Sequence, residues 1–123
     1  MYISKITSYD KDDMEADVYV TDGRYTIRCY VYPTPKGFEK KAIALLFGYG
    51  VSQIYLSREC DFGLEKVNSF FAYRITGYVE SVSGRIVKIG EIRIEIDSPF
   101  PGGIKEGDYV QLLVERCDVI WQR

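Results

Sequence analysis

The sequence predicts a mainly β fold: a single-domain antiparallel Greek-key barrel spanning residues 1–123, with at most one short helix after its third strand. Three observations lead to it. Apolar and polar residues alternate at a period of two, and turn residues separate the alternating runs. The chain also contains 11 tyrosines and six phenylalanines, which are common in strands. A length of 123 residues suits one domain that buries a core of its own.

The clearest local pattern is a hairpin around Asp22-Gly23, a dipeptide that favours a two-residue turn between antiparallel strands. With these two residues as the loop, Val20 lies opposite Tyr25, and Val18 lies opposite Ile27. One predicted face is almost wholly apolar and comprises Met14, Ala16, Val18, Val20, Tyr25, Ile27, Cys29 and Val31. The other face pairs Tyr19 with Thr26, Asp17 with Arg28, and Glu15 with Tyr30. A slip of one residue would mix the two faces, so the pattern determines them.

The elements around this hairpin follow from breaks in the alternation. Residues 2–9 read as a strand whose phase changes between Ile3 and Ile6, which indicates a bulge, and the acidic stretch 10–13 makes a turn. Pro33 and Pro35 end the third strand, because proline cannot donate to a strand ladder. The predicted elements that follow are a short helix at about Glu39 to Phe47, a short strand at 51–57 and a loop at 58–68.

The second half repeats this rhythm. Residues 70–82 and 85–97 alternate, a Ser83-Gly84 turn separates them, and the phase slip near Ile89-Gly90 suggests a bulge or a corner. Residues 98–108, with two prolines and three glycines, form a loop. Residues 109–121 are the last strand, with an inward set of Val110, Leu112 and Val114.

Composition excludes several classes of function. The net charge of −2 lacks the basic excess that phosphate binding favours, and no apolar stretch is long enough to cross a bilayer, so no membrane association is predicted. The amino terminus has no signal-peptide pattern, and three dispersed cysteines indicate a reducing compartment, which together predict a cytoplasmic protein. The cysteines are interpreted as buried apolar thiols.

Catalytic and cofactor patterns are equally weak. The chain has no histidine, which removes Ser-His-Asp and Cys-His chemistry, and residues 10–15 lack the glycine of a calcium loop. The carboxylates of Asp61, Glu65, Asp97 and Asp108 lie in or beside predicted loops, and nothing in the sequence brings two together. Cys60 stands between two acidic residues, which makes it a poor nucleophile. The sequence therefore predicts no metal, no cofactor and no enzyme, with a small accessory enzyme as the third-placed alternative.

At the level of architecture the chain resembles an OB-fold. The similarity lies in the curved first strand "YISKITSYD", the hairpin "EADVYVTDGRYTIRCYVY", the connection "GFEKKAIALLFG" and the late segment "GIKEGDYVQLLV". The resemblance implies a binding surface on the outer face of strands two and three and on the nearby loops.

The candidate binding residues on that surface are Tyr19, Arg24, Arg28, Tyr30 and Tyr32. Tyrosine and arginine are enriched in protein interfaces, so a protein partner or self-association is favoured. Single-stranded nucleic acid is the alternative, because bases stack on aromatic rings. A solvated sheet face also fits, since Asp17 opposite Arg28 already provides that arginine with a partner.

Overall fold

The computed structural model describes residues 1–68 and 70–121, and these residues form a mainly β protein. Its strands are β1 (Tyr2–Asp10), β2 (Glu15–Thr21), β3 (Thr26–Val31), β4 (Leu45–Tyr49), β5 (Ser52–Leu56), β6 (Gly63–Lys66), β7 (Tyr73–Ser81), β8 (Ile86–Ile89), β9 (Ile92–Ile96), β10 (Tyr109–Val114) and β11 (Arg116–Ile120). A 3-10 turn at Phe38–Lys40 accompanies them. The predicted fold class is confirmed at this level.

The strands form one mixed sheet in the order β1-β2-β3-β11-β4-β9-β8-β7-β10-β5, with β6 also paired to β7. The pairs β3–β11 and β4–β9 are parallel, and the remaining pairs are antiparallel. The order does not close on itself, so the closed antiparallel Greek-key barrel of the sequence prediction is not confirmed.

The predicted last strand is in fact two. β10 pairs with β7 and β5, whereas β11 pairs with β3 and β4, so the chain changes its partners at Glu115. The Glu115 amide donates to the carbonyl of Tyr49 at 3.0 Å, which takes this residue out of the β10 ladder. The inward set of Val110, Leu112 and Val114 is confirmed as buried.

The β2–β3 hairpin forms with a register two residues away from the predicted one. Val20 lies opposite Ile27, and Val18 lies opposite Cys29, so the loop spans residues 22–25. The two-residue turn is displaced because the Asp22 side chain accepts the amides of Arg24 and Tyr25 and thereby builds a wider loop. A shift of two residues keeps each side chain on its face, and Val18, Val20, Ile27 and Val31 are all fully buried. The predicted apolar face has two exceptions. Met14 lies in the preceding turn and is 47% exposed, and Tyr25 lies in the loop and is only partly buried.

Three other sequence predictions need correction. The predicted helix at Glu39 to Phe47 is wrong: after the 3-10 turn the chain extends into β4, where Leu46 is buried opposite Ile94 of the parallel neighbour β9. The predicted loop 58–68 contains β6. Near Gly90 the chain makes a tight turn and not a bulge, because Ile89 pairs with Ile92 across it.

The bulged first strand is confirmed. The β1–β2 register shifts between Ile3 and Lys5 and again between Ile6 and Ser8. At these points the hydroxyls of Ser4 and Thr7 donate to the carbonyls of Tyr19 and Asp17, at 3.4 and 2.8 Å.

The inward residues of the sheet form one hydrophobic cluster. The sheet folds over this core, since the amide of Arg28 on β3 donates to the Tyr73 hydroxyl on β7 at 3.0 Å. Cys29 and Cys117 are buried as predicted, but Cys60 is exposed because it lies in the irregular segment before β6. Within residues 1–68 and 70–121, no helix has the length and apolar character needed to cross a membrane.

Candidate partner-binding groove

The structure divides the five predicted binding residues. Tyr19, Arg28 and Tyr30 share the outer face of β2 and β3, and Tyr19 lies directly opposite Arg28. Arg24 lies in the loop before β3, and Tyr32 follows the other end of that strand, where it is 58% exposed. The five therefore do not make one surface.

Arg28 is held by its own sheet. Its Nε donates to both carboxylate oxygens of Asp17, at 2.8 and 3.0 Å, and its Nη2 forms an ion pair with the same group. The guanidinium also lies 5.1 Å from the ring centroid of Phe71. The hydrogen bond to Asp17 raises the pKa of Arg28, against a smaller effect of burial. The predicted contact with Asp17 exists, but it is diagonal, because Asp17 lies opposite Tyr30 in the register.

The rings of Tyr30 and Tyr19 already lie against cations of the chain. The Tyr30 hydroxyl donates to Glu15 Oε2 at 2.7 Å, and this hydrogen bond is the main reason that its pKa is raised to about 12. The Arg116 guanidinium lies 4.9 Å from the Tyr30 ring centroid. Lys66 Nζ lies 5.9 Å from the centroid of Tyr19. The ring surfaces predicted to stack on bases are therefore partly occupied.

Arg116 was missed by the sequence prediction, although it is central to this face. It lies between the rings of Tyr30 and Tyr49, at 4.9 and 5.2 Å from their centroids, and its Nε donates to Asp118 at 2.7 Å. It reaches Tyr30 only because β11 pairs in parallel with β3, a contact between segments about ninety residues apart. No local pattern in the sequence indicates such a pair.

A groove of about 580 Å³ opens at the end of the hairpin that is remote from the loop 22–25. We call it the acidic groove. Its lining includes Ser8 to Asp12 from the end of β1 and the following turn, Glu15 to Asp17 from β2, Arg28 and Tyr30 from β3, and Phe70 and Phe71 from the segment before β7. It thus contains two of the five predicted residues.

The charge of this groove is negative. Asp10, Asp12, Glu15 and Asp17 line it together with Lys11 and Arg28, and Arg28 is already paired with Asp17. In the part of the chain that the structure describes, no ion pair includes Asp10, Asp12 or Glu15. The pKa of the adjacent Asp13 is raised, and the main cause is the negative charge of Asp10.

Exposed rings stand beside these carboxylates. Tyr9 is 48% exposed and Phe70 is 62% exposed, while Phe71 lies under the Arg28 guanidinium. The sequence prediction placed Phe70 and Phe71 in a strand, but they precede β7 because the Asn68 side chain accepts the amides of Phe70 and Ala72. Asparagine just before these residues favours a turn, but the sequence prediction gave more weight to the alternating strand pattern.

Two of the four carboxylates considered for catalysis, those of Asp97 and Asp108, have structural contacts. Asp97 accepts the amides of Gly50 and Val51, at 2.8 and 3.1 Å, and Asp108 accepts the amide of Lys105 at 3.0 Å. Within residues 1–68 and 70–121, no cluster of cysteine and acidic residues could hold a metal ion.

The chain matches no family model, and no curated protein or solved structure is similar to it.

Proposed function

We propose that this protein is a non-catalytic binding module that takes an extended cationic segment of a partner protein in the acidic groove. One observation carries the proposal: carboxylates without an ion-pair partner in the described chain stand beside exposed aromatic rings in a single concavity. The exposed Cys60 and the odd number of cysteines suit a reducing compartment, so we place the activity in the cytoplasm.

The carboxylates and the aromatic rings of the acidic groove have different roles. Lysine or arginine of the partner relieves the repulsion of Asp13 by Asp10 and Glu15, which speeds encounter and selects against acidic partners. Each such exposed pair contributes only about 0.2–1 kcal/mol. Most of the affinity therefore comes from burying the rings of Tyr9 and Phe70, since interface energy concentrates in a few aromatic residues.

The same charges disfavour single-stranded nucleic acid on this face. A phosphate that approached Arg28 or Tyr30 would meet the carboxylates of Asp17 and Glu15, which hold those two side chains. Arg116 is likewise bonded to Asp118. Binding of nucleic acid here would cost these contacts before any base could stack.

The proposal is tested by titrating ¹⁵N-labelled protein with a short peptide that alternates arginine and phenylalanine. We expect saturable amide shifts confined to residues 8–17, 28–30 and 70–71, and weaker binding as salt is added. The same peptide with glutamate in place of arginine should leave these amides unmoved. Shifts spread evenly over the surface, or an equal response to both peptides, would contradict the proposal.

Matched variants separate the two components. Phe70→Ser should weaken binding by about tenfold, whereas Leu56→Ser, at an equal exposure of 62%, should not. Asp12→Asn should reduce the salt dependence, and Glu106→Gln, an exposed residue outside the groove, should not. A single-stranded oligonucleotide that bound more tightly than the peptide would replace the proposal with the nucleic-acid alternative.

A further inference from the structure

A second groove, of about 650 Å³, lies at the loop end of the β2–β3 hairpin, and we call it the aromatic groove. Tyr25, Phe62 and Tyr78 wall it, and Tyr109 connects two of them. The rings form a continuous series: the centroid distances are 5.9 Å from Tyr25 to Phe62, 5.7 Å from Phe62 to Tyr109 and 5.8 Å from Tyr109 to Tyr78. Three rings from three separate segments thus line the groove, and the Tyr109 ring joins Phe62 to Tyr78.

The base of this groove is built before any ligand arrives. Asp22 Oδ1 accepts the amides of Arg24 and Tyr25 at 2.8 and 2.7 Å, and Asp22 Oδ2 accepts the amide of Glu91 at 2.8 Å. These bonds join the hairpin loop to the Gly90-Glu91 turn. A site held in this way loses little conformational entropy on binding.

Two cations line the groove. The Arg24 guanidinium lies 5.5 Å from the Tyr25 ring centroid and takes part in no ion pair within residues 1–68 and 70–121. Lys88 Nζ is 3.7 Å from a carboxylate oxygen of Glu91, whose side chain is 81% exposed. Such a pair is worth little and exchanges readily for another anion. The charge of Asp22, by contrast, is already directed at three backbone amides.

The groove also carries unused hydroxyl groups. In the described chain, the hydroxyls of Tyr30 and Tyr73 hydrogen-bond to other residues, whereas those of the groove residues Tyr25 and Tyr78 do not. A phenolic hydroxyl can donate one hydrogen bond and accept others. Rings for stacking, hydroxyls for hydrogen bonds and cations for charge therefore converge on one concavity.

From this arrangement we infer that the aromatic groove binds a small planar aromatic molecule that carries a phosphate, the chemistry of a nucleoside monophosphate. The planar ring packs against the tyrosine wall, and the phosphate lies toward Arg24 and Lys88, which both suit it. The site is at the other end of the hairpin from the acidic groove, so it is independent of the proposed function.

The inference is tested by titrating ¹⁵N-labelled protein with adenosine monophosphate, adenosine and ribose 5-phosphate. We expect saturable shifts with the nucleotide at residues 22–25, 62, 78 and 88–91. Adenosine lacks the charge and ribose 5-phosphate lacks the ring, so each should bind about tenfold more weakly. An absence of saturable shifts with the nucleotide at millimolar concentration, or ribose 5-phosphate binding as tightly as the nucleotide, would overturn the inference.

Variants locate the charge. Arg24→Gln and Lys88→Gln should each weaken nucleotide binding by about five- to tenfold, while Lys36→Gln, an exposed lysine outside the groove, should change nothing. The amide spectrum of each free variant shows whether it has folded, and both Arg24 and Lys88 can be removed without emptying the core. Unchanged affinity in both groove variants would refute the site. If a single-stranded oligonucleotide bound at these amides more tightly than the mononucleotide, the ligand of the aromatic groove would be a nucleic-acid strand and not a small molecule.

Discussion

Asp22 and Asp13, at the two ends of the β2–β3 hairpin, have opposite surroundings. At the loop end, Asp22 accepts three backbone amides, and these hydrogen bonds outweigh the effect of burial, so that its pKa is lowered. At the other end, Asp13 has the charge of Asp10 beside it, and its pKa is raised. The Asp22 carboxylate is an acceptor for the backbone, whereas the Asp13 carboxylate lies in a turn where the charge of Asp10 disfavours its ionised form.

This difference indicates which substitutions should change the free energy of unfolding and which should change the binding of a partner. Where backbone donors converge on a carboxylate, its removal takes away the acceptor that holds them together, and the fold loses stability. Where a carboxylate meets only other carboxylates, its removal costs the fold nothing and affects an approaching partner instead. Substitutions at the loop end should therefore have the larger effects on unfolding.

The largest effect is expected for Gly90→Ala. Gly90 has a φ of +59°, and an added Cβ would lie 2.5 Å from Asp22 Oδ2 and 2.8 Å from the Tyr25 ring. The substitution must break the contact between loop and turn, and we expect the free energy of unfolding in urea to fall by about 2–4 kcal/mol. Gly102→Ala, where a Cβ meets nothing within 4 Å, is the control and should change it by less than about 0.5 kcal/mol. Equal effects at the two glycines would contradict this account of the loop end.

Asp22→Asn should come second, with a loss of about 1–3 kcal/mol at pH 7. The asparagine oxygen can still accept the amides of Arg24 and Tyr25, but its nitrogen cannot accept the amide of Glu91, so the bond between loop and turn is lost. The folded pKa of Asp22 lies below its ordinary value of 3.8, so the carboxylate stabilises the fold above that value and ceases to do so as the pH falls through the folded pKa. The difference between wild type and variant should thus be constant above about pH 5 and shrink in stronger acid.

Asp13→Asn provides the contrast within the same experiment. Its raised pKa means that the charged form is disfavoured in the folded protein, so neutralising it should leave stability at pH 7 unchanged or slightly higher. A loss at this position comparable to that of Asp22→Asn would show that the two ends do not differ.

A smaller effect is expected at the acidic end, from the Asp17–Arg28 pair. The side chains are 14% and 18% exposed, and we expect a coupling of about 1 kcal/mol in a double-mutant cycle of Asp17→Asn and Arg28→Gln. The cycle is needed because Arg28 also lies over Phe71, so single substitutions remove more than the ion pair. The coupling should decrease in 1 M salt. An unaltered coupling would mean that hydrogen-bond geometry, and not charge, holds the pair.

How far the sequence predicted the molecule differs between these regions for a physical reason. Apart from Met14 and Tyr25, the alternation of residues 14–31 correctly separated the buried face from the exposed face, because a strand side chain points to one side of the sheet or the other. The register was missed by two residues, since it depends on the Asp22 side chain building a loop of four. The turn propensity of Asp22-Gly23 does not show whether the chain adopts a loop of two residues or of four.

The candidate site was less accessible to sequence reasoning. Arg28 and Tyr30 were correctly placed on one face, but Phe70, Phe71 and Arg116 come from distant segments and meet this face only through the folded sheet. Arg24 and Tyr32 were grouped with them because they are near in sequence, although the length of β3 separates them. Adjacency along the chain predicts a shared face, not a shared groove.

Among the substitutions expected to lower stability, Tyr30→Phe should have the smallest effect, and it tests whether the acidic end gains any stability from its internal contacts. Loss of the hydroxyl removes the hydrogen bond to Glu15, but solvent can replace it, so the free energy of unfolding should fall by only about 0.5 kcal/mol. The Tyr30 pKa of about 12 lies above the ordinary value of 10.0, so this contribution is complete below pH 10 and is lost as the pH rises through the folded pKa. Alkaline absorbance titration should show one tyrosine ionising near pH 12 in the wild type and not in the variant. If no such step is lost, the hydrogen bond between Tyr30 and Glu15 does not persist in solution.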